Sequence, residues 1–403
     1  MQRSNGVTSF FVMVLFVVGA LPPAPFRFYV PAQAQDQHDD DPFPVGPTCY
    51  MRVFDPRWSN VHLFYSLVDG DKVMVEGDII LGTKTEVLRQ SFANAVTAAK
   101  EAGGQSALMR ALPSDKERAA VRRLAKRQPD ALKNAGGPML DKEVKEAVDA
   151  VEPLLGLRPM GPPQGDEERQ AVAVLAGASC EFRWPKGLIP YEVAGVDHPD
   201  LIRKAIEHWQ EHTNWNIRFE KRTAANAGQY TDYVRFEKGT KDCYAYSIGR
   251  RPGLGTHRVT LASGCKEPQI IHEIGHIVGL FHEHCRADRD RWIQIDDSNM
   301  DKNASTQFGK IGWMDARILT AFDFDSVMLY PFKAFAADLK KAPTILIKKG
   351  VQSMAGSPIT IPKDPADFGL KTGIYGGKTI GLSKLDVEGV KKMYFDKPCG
   401  PGQ

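Results

Sequence analysis

The sequence predicts an α+β fold divided into two regions, and three observations support this prediction. Residues 61–81 are strand-like in composition. From Glu86 to about Leu157 the chain is rich in Ala, Lys, Arg and Glu, with helical periodicity. Residues 158–167 form a linker rich in Pro and Gly, after which short strands alternate with helices. A domain boundary is therefore expected at this linker.

The first region begins with a predicted hairpin. The strand-like segments Phe64–Val68 and Val73–Leu81 flank Asp69-Gly70, a dipeptide typical of tight hairpin turns. Farther along, Ser114 and Glu117 have the spacing of a capping box and predict the start of a helix.

That helix has a basic face formed by five side chains: Arg118, Arg122, Arg123, Lys126 and Arg127. Such a face could bind an acidic partner, but a solvated helix surface explains a single run of charges equally simply and is the more common case.

In the second region, Trp184–Tyr191 leads into a strand and Pro199 opens an amphipathic helix. Further strands are expected around residues 217–220, 233–237 and 257–261. Pro268 is placed as the first residue of the next helix. A C-terminal helix is expected to begin at Ser383, capped reciprocally by Asp386.

Length and charge limit the function classes. A chain of 403 residues is expected to form two or three domains. The formal net charge is only +3, so the overall composition gives no indication of binding to nucleic acid or to membrane surfaces.

The N-terminus has the pattern of an export signal. Arg3 precedes an apolar run, Phe10–Leu21, which is too short to span a bilayer comfortably. Ala32-Gln33-Ala34 then supplies a small-residue cleavage pattern. We expect a signal peptide at residues 1–34 and a secreted product; an uncut signal anchor is the alternative, and the acidic stretch that follows argues against it. No other stretch is apolar enough to insert stably in a membrane.

Cysteine usage agrees with export. The chain has 6 cysteines, and an even number in an exported protein favours disulfide bonds. No pair has C-x-x-C spacing, so a structural zinc site built from cysteines is not expected.

The segment His272–Glu283 reads H-E-x-x-H-x-x-G-x-x-H-E. Two histidines four residues apart lie on the same face of a helix, so His272 and His276 can reach one ion. Gly279 suits a backbone that leaves the helix with positive φ, which would bring His282 back as a third ligand. Three protein ligands and an open position are typical of a catalytic zinc site. The simpler alternative, a chance or structural histidine pair, does not explain the glycine and the third histidine.

Two further motifs indicate a family. Arg286-Ala287-Asp288-Arg289-Asp290 follows the histidine motif, and Ser326-Val327-Met328-Leu329-Tyr330 comes later. With these motifs, roughly residues 180–400 resemble the astacin family of metzincin metalloendopeptidases, including the family's catalytic N-terminus at Trp184–Tyr191 and its closing helix.

The resemblance implies a metzincin-type catalytic domain of two subdomains, with a twisted, mostly parallel sheet and an active-site helix. It divides the chain into a signal peptide (residues 1–34), a propeptide (35–170) and a catalytic domain (171–403). One Zn²⁺ per catalytic domain is implied as cofactor. The implied partners are protein or peptide substrates, the chain's own propeptide as inhibitor, and an activating protease or autocleavage.

The resemblance also implies roles for individual residues. His272, His276 and His282 would bind zinc, and Glu273 would be the general base that deprotonates a zinc-activated water. Met328 would form an apolar floor in the Met-turn, and Tyr330 would be a movable zinc ligand that stabilises the oxyanion. Glu283 would contact the new N-terminus released on activation.

Val75–Ile79 resembles the family's prosegment motif, in which an aspartate ligates zinc and holds the enzyme latent. Asp78 is the corresponding residue here, although about a hundred residues separate it from the catalytic start. Activation would require a cut in the linker region, at Arg169-Gln170 or Gln170-Ala171.

The resemblance implies a disulfide bond between Cys243 and Cys265. The pairing of Cys49, Cys180, Cys285 and Cys399 stays open. Cys180 with Cys399 is one arrangement, and a bond from Cys49 to the catalytic domain would keep the propeptide tethered after cleavage.

Two other functions are alternatives to an active endopeptidase. A catalytically inactive, astacin-like binding module would need no base, yet all ligands, the base and the tyrosine are present. A metalloenzyme of other chemistry, such as an esterase or a deaminase, would not require the Met-turn or the long histidine motif.

Overall fold

The structure is a computed structural model, and it describes residues 48–54, 62–68, 70–75, 78–155, 173–174, 182–302, 304–310, 317–351, 360–372 and 376–396. Several predictions lie outside these residues: the signal peptide at 1–34, the linker at 158–167, the two candidate activation bonds, Cys180 and Cys399.

The elements of the first part, which we call the N-terminal lobe (described residues between 48 and 155), are these: β1 Thr48–Arg52, β2 His62–Val68, β3 Lys72–Val75, β4 Ile79–Thr83, α1 Lys84–Gly104, α2 Ser106–Ala111, α3 Asp115–Ala125 and α4 Gly137–Leu155. A short strand, β5 Ala173–Val174, follows.

The elements of the C-terminal region (described residues between 182 and 396) are these: β6 Leu188–Ala194, α5 Pro199–His212, β7 Arg218–Lys221, β8 Tyr233–Lys238, β9 Cys243–Ala245, β10 Thr256–Leu261, α6 Glu267–Val278, β11 Ile293–Ile295, β12 Arg317–Ile318, β13 Ile345–Ile347 and α7 Lys384–Lys391.

Strands β1 to β4 form an antiparallel meander, and the predicted hairpin is confirmed by the pairing of Val68 with Lys72. The prediction of one strand over Val73–Leu81 was wrong. The chain reverses in this segment, Asp78 lies in the turn, and β4 runs back antiparallel to β3 with Val75 opposite Ile79. Side chains alternate between the two faces of every strand. Two short strands joined by a tight turn therefore show the same alternation of apolar residues as one long strand.

Helices α1, α3 and α4 pack together, and α1 also packs on strands β3 and β4. A capping box at Thr83 and Glu86 starts α1. The predicted start of α3 is confirmed, because the Ser114 hydroxyl accepts a hydrogen bond from the backbone N–H of Glu117. The apolar faces of these helices form the core of the lobe.

The lobe and the C-terminal region share one sheet of nine strands, in the order β1-β2-β3-β4-β9-β10-β8-β6-β7. In the C-terminal part of this nine-stranded sheet, the β10–β8, β8–β6 and β6–β7 pairs are parallel, and β9 runs antiparallel to its neighbour β10. Strand β4 joins β9 in parallel through Ile79 and Ala245. The predicted α+β class and the mostly parallel catalytic sheet are confirmed.

Helix α6 packs against α5, β9 and β10, so the histidine motif lies beside the centre of the sheet. The helix begins at Glu267, one residue before the predicted start at Pro268. A second apolar cluster is built from residues beyond the motif, between Ile293 and Phe368. The chain after Gly279 therefore forms a second subdomain with its own core, and the predicted capping of α7 by Ser383 and Asp386 is confirmed.

Within the described residues, no helix has the length and apolar character needed to span a membrane.

Candidate metal centre

Helix α6 carries the first two histidines of the motif. His272 and His276 are one turn apart and both are buried. Their ring centroids are 4.9 Å apart, with the ring planes nearly perpendicular at 87°. The predicted helical spacing therefore brings both imidazoles to one point.

The third histidine is positioned by the turn that ends the helix. Gly279 has a φ of 125°, a conformation that L-residues rarely adopt. The N–H groups of Gly279 and Leu280 both donate to the carbonyl of Gly275. The chain then reverses and places His282 Nε2 3.1 Å from His272 Nε2. The positive φ predicted for Gly279 is confirmed.

Backbone carbonyls fix the orientation of the two helical imidazoles. His272 Nδ1 lies 2.7 Å from the carbonyl oxygen of Val327, and His276 Nδ1 lies 2.8 Å from that of Leu280. A carbonyl only accepts, so each Nδ1 carries a proton, and in the neutral imidazole Nε2 then keeps the lone pair. Metal-binding histidines are commonly oriented in this way.

Asp78 of the lobe lies in the middle of the histidines. Its Oδ2 is 3.1 Å from Nε2 of both His272 and His282, and its Oδ1 is 3.4 Å from Nε2 of His276. Burial opposes ionisation of this carboxyl, but the surrounding imidazoles, above all His282, outweigh it and hold the pKa of Asp78 well below its usual range. Asp78 is therefore a carboxylate facing three nitrogen donors.

This donor set fits a zinc ion. One ligand atom from each of Asp78, His272, His276 and His282 lies within 4.8 Å of the others. His276 Nε2 and Asp78 Oδ1 are buried and have no hydrogen-bond partner among the described residues. Three imidazole nitrogens and a carboxylate oxygen are ligands that zinc prefers. Two buried polar atoms without partners are explained if a cation binds between them.

Glu273 is buried beside this cluster but is not one of its members. Burial and the nearby negative charge of Asp78 raise the pKa of Glu273 well above its usual range. Its Oε2 has no hydrogen-bond partner in the described part of the chain. A buried carboxyl group with a raised pKa has the properties of a proton acceptor and donor at neutral pH.

Met328 lies against the metal-binding helix. A Cβ atom on Gly275 would come within 2.5 Å of the Met328 sulfur, so the glycine allows this close contact. The carbonyl of Met328 accepts a hydrogen bond of 2.9 Å from the N–H of Glu283. Met328 thus contacts both helix α6, at Gly275, and the residue after the third histidine, Glu283.

The ring of Tyr330 is fully buried and packs on two histidines. Its centroid is 4.4 Å from that of His282, and it stacks on His284 at 4.0 Å. The structure therefore places the Tyr330 ring against His282, the third histidine of the motif.

Asp386 anchors the segment that contains Met328, a role the sequence analysis missed. One carboxylate oxygen accepts from the Ser326 hydroxyl at 2.7 Å, and the other accepts from the backbone N–H of Val327 at 3.0 Å. Since Val327 in turn orients His272, Asp386 supports a metal ligand through two steps. The sequence identified Asp386 only as a helix cap, because its partners lie about 60 residues away.

Glu283 forms a buried ion pair with Arg286. Arg286 donates to Glu283 at 2.8 Å and, with two other nitrogens, to both carboxylate oxygens of Asp288 at 2.8 and 2.9 Å. The backbone N–H of Asp323 also donates to Glu283. Burial raises the pKa of Glu283 to about 8, although Arg286 opposes this shift. Glu283, Arg286 and Asp288 thus form an internal network, whereas Asp290 at the end of the charge run is exposed.

The predicted bond between Cys243 and Cys265 is present, with a Cα–Cα distance of 6.0 Å. Cys243 begins strand β9, and Cys265 directly precedes Lys266, the N-terminal cap of α6. The disulfide therefore ties the strand beside the site to the helix that carries the ligands.

Comparisons with known proteins identify related sequences and structures. Residues 178–363 match the sequence model described as Astacin, a peptidase family. Astacin-like metalloprotease toxin 1 of Loxosceles intermedia is 33% identical over 223 residues, covering 54% of this chain and 73% of the toxin. Astacin-like metalloprotease toxin 2 of the same organism is 34% identical over 174 residues, covering 42% of this chain and 62% of the toxin.

Longer proteins match in one part. Tolloid-like protein 1 of Homo sapiens is 29% identical over 241 residues, which are 59% of this chain but 21% of the tolloid-like protein. Among solved structures, high choriolytic enzyme 1, a hatching enzyme zinc-protease from Oryzias latipes, is 22% identical with a TM-score of 0.41, covering 54% of this chain and 96% of that chain.

Proposed function

This chain belongs to the astacin family of zinc metalloproteases, and on that basis we propose that it is a secreted endopeptidase made as a latent precursor. The observation that carries the proposal is the cluster of three imidazoles and one carboxylate around a common point, with the buried carboxyl group of Glu273 beside it. The substrates would be proteins or peptides.

His272, His276 and His282 would hold one Zn²⁺, and Asp78 would be the fourth ligand in the precursor. When bound, zinc supplies Lewis-acid chemistry: it activates a water molecule and polarises the scissile carbonyl. The carbonyls of Val327 and Leu280 keep two of the imidazoles in the tautomer that presents Nε2. These contacts support a rigid ligand set that needs little rearrangement on metal binding.

Glu273 would act as the general base and then as the acid. Its carboxylate accepts a proton from the attacking water and returns it to the leaving amine. The raised pKa supports this role, because a group that holds its proton near neutral pH can both accept and release it during turnover. Removal of Asp78 from the site would also remove the negative charge of its carboxylate, which helps to raise the pKa of Glu273.

Tyr330 would stabilise the oxyanion that develops on the scissile carbonyl, through its hydroxyl. Its ring already lies against His282, which supports a position at the edge of the cluster. Met328 would supply an apolar floor, in agreement with its contact with Gly275 in α6.

Latency would depend on Asp78, which occupies the position that substrate and water need. The proposed organisation is a signal peptide at residues 1–34, a propeptide at 35–170 and a catalytic domain at 171–403. A cut at Arg169-Gln170 or Gln170-Ala171, by an activating protease or by autocleavage, would create the new N-terminus. Glu283 would contact that N-terminus, and its buried position with Arg286 supports a role inside the folded domain.

The alternative is an inactive binding module that keeps the fold and the metal. The buried Glu273 favours catalysis, because a binding module has no need to bury a carboxyl group that has one oxygen without a hydrogen-bond partner among the described residues.

The test is cleavage of a denatured protein by the processed form. We expect activity that a zinc chelator abolishes and that added Zn²⁺ restores. Glu273→Gln keeps the shape of the side chain but removes the base, and we expect a loss of at least about 100-fold. Glu267→Gln, in the first turn of the same helix, is the matched control and should retain activity. Bound zinc without cleavage by the wild-type protein would favour the binding module.

A further inference from the structure

We propose that the N-terminal lobe is a folded protein inhibitor that stays bound to the C-terminal region after the linker is cut, with the edge of strand β9 as its docking surface. The inference rests on the proposed function, because an inhibitor requires an enzyme to inhibit. Its central measurement, retention of the lobe after cleavage, does not depend on peptidase activity.

The strands and helices of the lobe pack on one another, and their buried side chains join those of the C-terminal region in one continuous apolar cluster. Strands β1 to β4 carry one apolar face, and helices α1, α3 and α4 cover it. The fully buried side chains of the lobe include Val73, Phe92, Val121, Leu140 and Val148. A surface ion pair also links its parts, since Arg52 of β1 binds Asp149 and Glu152 of α4. These contacts lie within residues 48–155, so cleavage at 169–171 removes none of them.

The opposite face of the same sheet is the docking face. Strands alternate their side chains, so Met74 and Ile80 point away from the helices that cover Val73 and Leu81. Met74 and Ile80 are directly opposite each other in the β3–β4 register. Both are fully buried, and they form a separate apolar cluster with Tyr244 of β9. Burial of these two side chains against Tyr244 favours association through the hydrophobic effect.

Hydrogen bonds add to this contact. The N–H of Ala245 donates to the carbonyl of Asp78 at 3.2 Å, and Ile79 pairs with Ala245 in the sheet. Lys72 Nζ lies 3.0 Å from the hydroxyl of Tyr246, with the ammonium group 5.4 Å from the centroid of its ring. The lobe thus recognises β9 by apolar, backbone and charged contacts, in addition to the carboxylate at the metal site.

The attachment described by these contacts is non-covalent. Cys49, the lobe's cysteine, hydrogen-bonds with Tyr65 of the lobe itself. The linker cut therefore creates a new N-terminus without separating the two parts. Activity then requires a second event, either dissociation on dilution or proteolysis of the lobe.

The test uses the full precursor with the recognition sequence of a site-specific protease inserted between residues 158 and 167. After complete cleavage at this site, size-exclusion chromatography at micromolar concentration shows whether the lobe and the C-terminal region co-elute. We expect co-elution in a 1:1 ratio, and peptidase activity below about a tenth of that of a form from which the lobe has dissociated. Separation of the wild-type lobe at once on cleavage would overturn the proposal.

Two variants test the docking surface. Met74→Lys places a charge in the apolar cluster and should make the lobe elute separately after cleavage. Met139→Lys is the matched control, because Met139 is 58% exposed on the lobe, and this variant should co-elute like the wild type. Tyr244→Asp makes the same test from β9 and leaves the lobe sequence intact, so a misfolded lobe cannot explain release. Equal retention of all three variants would contradict docking at β9.

The two proposals fail in different ways. If the dissociated form of the Met74→Lys protein has no peptidase activity while the wild-type lobe is retained, the proposed function is wrong and the docking surface is right. If activity appears as soon as the wild-type linker is cut, the proposed function is right and the retained inhibitor is wrong.

Discussion

The N-terminal lobe and the C-terminal region bury different kinds of side chain. Among the described residues of the lobe, the buried polar side chains are Ser66, Asp78 and Ser91, and only Asp78 carries a charge. The C-terminal region buries many ionisable groups, which include Asp232, Glu273, Glu283, Arg286, Asp288, Arg289, Asp323 and Asp386. The lobe is held together by apolar packing, whereas the region with the metal centre is built around paired charges.

This difference determines how well each part tolerates the replacement of a buried side chain. Apolar packing tolerates replacement of one side chain by another of similar volume. A buried charge network does not, because loss of one member leaves another charge without a partner. The C-terminal region has to hold ligands in fixed positions, and directional contacts such as those of Asp386 serve this purpose.

The largest expected effect is seen when one buried side chain in each part is replaced by methionine. Arg286→Met removes the partner of Glu283 and Asp288, so we expect a loss of roughly 3–5 kcal/mol in the free energy of unfolding. Leu140→Met in the lobe conserves apolar volume at a site that is 1% exposed, and should cost less than about 1.5 kcal/mol. Urea unfolding of the two precursors measures both values. Equal losses would show that the two parts do not differ in this way.

The next prediction concerns the lobe's one buried charge. Asp78→Ala should raise hydrolysis of a short peptide by the uncut precursor by about 100-fold, since loss of a charged ligand contact of roughly 3 kcal/mol opens the zinc site. The rate should stay below that of the fully processed enzyme, because β4 still covers β9.

Asp71→Ala is the control for that experiment, since Asp71 is an exposed carboxylate in the preceding hairpin turn. Its precursor should remain as inactive as the wild type. Latency through Asp78 would be ruled out by an Asp78→Ala precursor whose peptide hydrolysis is as low as that of the Asp71→Ala precursor.

The smallest expected effect tests the close packing of Gly275 against Met328. Gly275→Ala should lower the free energy of unfolding by about 2 kcal/mol, because the new methyl group meets the Met328 sulfur. Adding Met328→Ala should remove most of this clash, so the double variant should be no less stable than Met328→Ala alone.

Gly389→Ala supplies the comparison, since the nearest atom to a Cβ there is the methyl carbon of Thr320 at 3.9 Å. This helical position has room, and alanine should be neutral or slightly stabilising. Similar losses at both glycines would indicate a general helix effect and not the contact with Met328.

Much of the histidine cluster was predictable because its members are close in sequence. The spacing of His272, His276 and His282, and the positive φ of Gly279, follow from helix geometry and the chirality of amino acids. The caps of α3 and α7 are equally local signals. The position of Asp78 could be anticipated only from the family resemblance.

The supporting contacts were not predictable, because each joins distant segments. No local pattern indicates that Asp386 holds the segment before Met328, or that Arg286 pairs inward with Glu283. Strand β9 has three residues, too few for a periodic signal. The reversal at Asp78 was missed because alternation alone does not distinguish one long strand from two short ones.

The pairing of Ile79 with Ala245 has a consequence for the order of folding. The described elements of the lobe end at residue 155, before β9 is synthesised, so the lobe can begin to fold while synthesis of the chain continues. Strand β9 is made later and joins β4 across a long loop, whose closure costs entropy. A preformed β4 edge then acts as a template for the parallel strands that follow. In the precursor, the sheet can grow outward from the lobe instead of starting at an unsupported three-residue strand.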